Sequence, residues 1–153
     1  MKVRLALAVA ALLLVGSLVA TATASGPKKE PFAKAVGKVK RHKNGTATVK
    51  ARYLCPRGPN WHLWVSAKQA AGGKRDEAIT HEGAGSGHVP AAWLQSHPVT
   101  FKCNGKRHTQ KFRIDTEEQG YGKLVKGHAW VQFCLIDEPN EVFLIDQHWS
   151  KVR

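Results

Sequence analysis

In the stretch PNWHLWVSAKQ, residues 59–69, Trp61 and Trp64 stand three residues apart with His62 between them. Successive side chains of a β-strand point to opposite faces, so in an extended segment one of these tryptophans faces inward and the other outward. Trp61, Leu63, Val65 and Ala67 form the apolar set, which leaves His62, Trp64, Ser66 and Lys68 outside. The run HAWVQFCLI (128–136) divides the same way, with Ala129, Val131, Phe133 and Leu135 inward and His128, Trp130, Gln132 and Cys134 outward. In VFLIDQHW (142–149) the phase with Phe143 and Ile145 inside and Asp146 and His148 outside fits best. Neighbouring strands would then gather Trp64, Trp130, His62, His128, Gln132, Asp146 and His148 on one surface. Aromatic faces with hydrogen-bonding neighbours suit sugars, partner proteins or stacked bases. The structural alternative is that the glycine-rich segment 70–98 folds over this sheet and turns both tryptophans into a satellite core.

Catalytic patterns are sparse. His81-Glu82 lacks the second histidine of a zincin motif, and Ser86 lacks the glycine two residues earlier that a nucleophile elbow requires. His128, His148 and Asp146 would meet around a metal only in a favourable strand register. No C-x-x-C pair is present, and the residues imply no cofactor. The cations are more informative. Lys38, Lys40, Arg41 and Lys43 crowd one expected hairpin, and Lys102, Lys106, Arg107, Lys111 and Arg113 crowd another. Either they are a solvated outer face, or they form a stripe that holds a polyanion through phosphate or sulfate groups.

The elements that would position these residues follow from periodicity. Period-two alternation predicts strands over 35–41, 46–55, 61–69, 99–103, 106–115, 128–136 and 142–149. Asn44-Gly45 and Asn104-Gly105 supply hairpin turns. Within 70–98 the pattern is weak, with a short edge strand near 78–82 and a helical turn near 90–96 that docks Trp93 and Leu94. Seven short strands without a long helix argue for an antiparallel, immunoglobulin-like β-sandwich over 35–153, with a small barrel as the other option.

Residues 1–24 carry a cationic start (Lys2, Arg4), an apolar run and the small residues Ala22 and Ala24, the layout of a cleavable secretory signal. Residues 25–34 read as a flexible arm. The formal charge of the whole chain is +13 and falls to +11 without Lys2 and Arg4, which predicts attraction to anionic partners outside the cell. Export places Cys55, Cys103 and Cys134 in an oxidising compartment, where two should pair. Cys55 and Cys103 end strands that run the same way, whereas Cys55 with Cys134 would match the inter-sheet bridge of antibody domains.

The segments TATVKARYLC, WVSAKQ, CNGKRH and WVQFC resemble a group of small secreted actinobacterial proteins with a Y-x-C strand end, a V-x-V-x-Q strand and a C-D/N-G-x-x-H hairpin. The resemblance implies an immunoglobulin-like sandwich and a Cys55–Cys103 bridge, and it brings no activity with it. The expectation is a secreted, non-catalytic binding module for an anionic envelope polymer or a protein partner. A small metal-dependent hydrolase and a protease inhibitor presenting 70–98 are the alternatives.

Overall fold

The structure is a computed structural model that describes residues 30–80, 89–97 and 99–153. The expected signal segment and residues 25–29 of the expected arm lie outside the described residues, as does 81–88. Among the described residues are seven strands: β1 (Phe32–Arg41), β2 (Ala47–Leu54), β3 (His62–Gln69), β4 (Ala92–Gln95), β5 (Arg107–Ile114), β6 (Gly127–Asp137) and β7 (Val142–Val152). Short 3-10 turns occupy Ala71–Gly73, Glu77–Ile79 and Glu138–Asn140. No helix among the described residues is long and apolar enough to cross a membrane.

The strands lie in the order β4-β3-β6-β7-β1-β2-β5. All pairs are antiparallel except β1 with β7, which meet in parallel at Val39 and Val152. The sheet is therefore mixed, not wholly antiparallel. It also curls until its ends touch, because Gln95 and Asp115 exchange both backbone hydrogen bonds (2.9 and 3.0 Å). Curling sets β2 and β5 over β6, where Tyr53, Phe112 and Phe133 pack with ring centroids 5.6 to 6.4 Å apart. Val65, Leu94, Ile114, Val131 and Leu135 complete a core closed to water.

Cys55 and Cys103 are bridged, with Cα atoms 4.9 Å apart, and Cys134 is buried outside the disulfide. The residues around the bridge hold one another. The Tyr53 hydroxyl donates to Gln110 Oε1 (3.0 Å), and its ring stacks on His108, whose Nε2 lies 2.9 Å from Asn104 Oδ1. Gly105 N–H donates to the Cys55 carbonyl (3.0 Å) with φ at +73°, a conformation that suits glycine.

Four expected elements change. Where a short edge strand was expected near 78–82, Glu77–Ile79 form a 3-10 turn, and 81–82 lie outside the described residues. Residues 99–103 are not a strand: Thr100 O accepts from the Gln110 amide (3.0 Å) and Lys102 N–H reaches the Tyr53 hydroxyl (3.5 Å). Side chains serve these backbone groups, so no ladder forms. The seventh strand is instead 92–95, which the sequence pattern suggested as a helical turn. Strand alternation there buries Leu94 and puts Trp93 on the other face. Finally, β1 starts at Phe32, so 32–34 of the expected arm are strand, paired with Arg52 to Leu54.

Candidate functional site

The register of β1, β2 and β5 builds a cationic plate. Across these strands Lys34 lies beside Arg52 and Thr109, Val36 beside Lys50 and Lys111, and Lys40 beside Thr48 and Arg113. Their neighbours along each strand, Ala35, Ala51, Val49 and Phe112, point into the core, so every cation in these rows is exposed. Eight strand residues make the plate about 26 Å long. Arg107 begins it, with its guanidinium 5.4 Å from the Phe32 ring centroid. Lys102 and Lys106 sit exposed beyond that end, and Arg41 and Lys43 beyond the other. The two Asn-Gly segments thus mark opposite ends of the plate, and β2 supplies Lys50 and Arg52 between them. The sequence pattern named neither residue as part of the patch, although their alternation with Val49, Ala51 and Tyr53 carried the signal.

A bulge shapes one end. Pairing of β1 with β2 slips between Val36 and Lys40, around Gly37 with φ at +79°. The slip lifts Lys38 and Lys40 into a ridge between two open clefts. One, of about 350 Å³, is lined by Lys38, Lys40, His42, Lys50 and Lys111; the other, of about 590 Å³, by Lys38, Lys40, Arg41 and Arg153. Desolvation by neighbouring residues, then the charges of Arg153 and Lys151, hold the exposed Lys38 ammonium below the ordinary lysine pKa. Of the plate residues Arg113 is paired with carboxylates, at 3.1 Å from Asp115 and 2.7 Å from Glu117. Lys34, Lys40, Lys50, Arg52 and Lys111 have no such partner among the described residues.

The surface expected around the tryptophans is only partly assembled. Lys68, Trp130 and Trp149 form one cross-strand row, and Trp64, Cys134 and Ile145 another. His62, Trp64, His128 and Trp130 do share the outer face, as expected. Gln132 shares it too but is fully buried, with its Oε1 accepting from Ser66 Oγ (3.0 Å). Trp130 packs edge-on against Trp149, whose indole N–H donates to Glu77 (2.9 Å) beneath the Arg75 guanidinium. Part of 70–98 therefore does lean over this face. Trp64 is half-buried and donates to Gln95 Oε1 (3.1 Å).

The phase of β7 is the reverse of the expected one. Asp146 and His148 pair with Phe133 and Val131 on the core side, while Phe143 and Ile145 face outward, 57% and 53% exposed. The reason is the seam with β1. Asp146 Oδ2 accepts from Ala35 N–H (2.8 Å) and lies 3.1 Å from His148 Nδ1, and Ser150 Oγ donates to the Gly37 carbonyl (3.0 Å). His128 is thereby on the opposite face from Asp146 and His148, and the three do not converge on a metal. Counting back from Val152, buried against Val39, would have set the phase; a strand ended at Trp149 loses that anchor.

A cluster with metal-ligand residue types occurs elsewhere, where the sheet closes. His97 donates through Nε2 to Asp115 and lies 3.0 Å from Glu118 through Nδ1, with Glu117 at 3.7 Å. The Glu118 and Asp115 hydrogen bonds raise the His97 pKa against the effect of burial. Burial pushes Asp115 up, but the Glu117 N–H, His97 and the Arg113 charge outweigh it and hold its pKa below the ordinary value. The guanidinium already seated on these carboxylates makes the cluster an ion-pair clamp. Comparison with family models, with curated proteins and with solved structures gives no match to this chain.

Proposed function

We propose that this chain is an exported, non-catalytic module that binds an anionic envelope polymer along the β1-β2-β5 plate. The observation that carries the reading is the group Lys34, Lys40, Lys50, Arg52 and Lys111, set on one face by register and without carboxylate partners among the described residues. Folding keeps like charges together only at an electrostatic cost, which an anion would relieve. The clefts beside Lys38 give the plate relief into which a phosphate or sulfate could settle. The strand order, with β1 parallel to β7 and β3-β6-β7 facing β1-β2-β5, supports an immunoglobulin-like sandwich, and the disulfide fits an oxidising compartment.

The test is a titration of the oxidised chain lacking residues 1–24 with polyphosphate, heparin, single-stranded DNA and poly-L-glutamate, followed by tryptophan fluorescence at several salt concentrations. We expect log K to fall with log[salt] at a slope near −3 for the phosphate polymers, at about −0.7 per contact on a flexible strand. In the pair Lys50→Glu with Lys111→Glu that slope should shrink together with the affinity. Binding that ignores salt, or that survives the pair unchanged, would overturn the reading.

A further inference from the structure

The apolar side chains that β7 turns outward do not belong to the plate and call for their own explanation. Phe143 and Ile145 lie in the cross-strand rows His62–Ile136–Phe143 and Trp64–Cys134–Ile145. Two large side chains more than half exposed side by side, on so charged a protein, mark a contact surface. The charge around them is arranged by register. Four residues from the Trp64–Cys134–Ile145 row toward one end stand Lys68, Trp130 and Trp149, with Arg75 over the Trp149 ring at 5.9 Å and Lys151 two residues further on. These three cations outnumber the Glu77 carboxylate that accepts from the Trp149 indole N–H. Four residues toward the other end stand Glu138, after Cys134, and Glu141, before Ile145, both exposed in the β6–β7 turn.

A partner of uniform charge would meet one end of this face well and the other badly. A second copy turned by a two-fold axis meets both. With the axis in the plane of the face, across the strands and through the Trp64–Cys134–Ile145 row, the apolar side chains meet their own counterparts. The carboxylate end of each copy then faces the cationic end of the other. We propose that a second copy of this chain docks here, face to face and with strands antiparallel, in an isologous dimer. The inference is independent of the polymer reading, since the plate lies on the opposite side of the fold.

The test is sedimentation velocity on the oxidised chain lacking residues 1–24, across concentration and salt. The expected result is a monomer–dimer equilibrium with a Kd on the order of 10–100 µM, the weak end for a small interface. Ile145→Lys should weaken it at least about tenfold, equivalent to 1.4 kcal/mol, with Phe143→Lys as the second variant and far-UV circular dichroism as the check on folding. Glu141→Lys should weaken the dimer, and adding Arg75→Glu should restore it, because the swap repairs two contacts across the axis. A chain that stays monomeric up to about 1 mM, where any association is too weak to be specific, overturns the proposal. So does a dimer indifferent to Ile145→Lys, or a swap without rescue.

Discussion

Gln69 shows how much one buried side chain can organise. Its amide donates to the Val125 and His128 carbonyls (3.0 Å each), and its oxygen accepts from Val125 N–H (2.7 Å). It ties the 115–127 connection to the start of β6 from a position closed to water. Gln69→Leu fills similar volume but leaves these three backbone groups without partners. We expect it to lower unfolding free energy by about 3 kcal/mol, measured by urea denaturation. Asp146 acts likewise at the β1–β7 seam. Asp146→Ala orphans the Ala35 N–H, with an expected loss of about 1–3 kcal/mol in the same assay. Cys134 is enclosed, so it packs as a small hydrophobe and is poorly placed to react.

At the scale of elements, two closures deserve separate tests. The disulfide joins the end of β2 to the loop before β5 across a 48-residue separation. In the chain-entropy account such a loop contributes about 4 kcal/mol, so Cys55→Ser with Cys103→Ser should lower the thermal midpoint markedly. The other closure joins β4 to β5 through His97, Asp115, Glu118 and Arg113. The His97 pKa is raised in the fold, so its contribution is complete below the ordinary 6.5 and fades as pH climbs through the folded value. Asp115 is lowered, so its contribution is complete above 3.8 and fades as pH falls through the folded value. The stability difference between the native chain and His97→Gln should therefore be largest between 3.8 and 6.5 and shrink on the alkaline side. Urea midpoints across pH decide it, and a pH-independent difference would mean that the clamp is not ionic.

For the whole molecule, the two proposals combine through geometry. Plate and apolar face lie on opposite sides of the fold, so a two-fold dimer would present its two plates outward, back to back. Such a dimer could engage two polymer strands, and linkage of the two sites would raise avidity without new contacts. If both proposals hold, long polyphosphate should bind more tightly than short at concentrations above the dimer Kd. Light scattering should also show cross-linked assemblies that vanish in Ile145→Lys. That variant should keep the binding of short chains.

The sequence by itself determined the all-β class, the Asn44-Gly45 hairpin turn, and the inward sets of β2, β3 and β6, while the pairing of Cys55 with Cys103 is the bridge that its resemblance implied. The class, the turn and the inward sets depend on interactions within a few residues of chain, or on a period-two pattern with one plainly apolar side; the bridge, across 48 residues, does not. The residues of the Y-x-C and C-D/N-G-x-x-H patterns prove to be neighbours around the bridge, holding a loop in place. Where both phases of a strand carry apolar and polar residues, as in β7, local pattern has nothing to choose with. Only the tertiary structure decided that phase, because it rests on Asp146 and Ser150 reaching β1 more than 100 residues away. The same holds for the plate: alternation makes Lys50 and Arg52 outward, but only strand order and register set them between the cations of β1 and β5. Side-chain direction is a local property of an extended chain, whereas adjacency of faces belongs to the closed sheet.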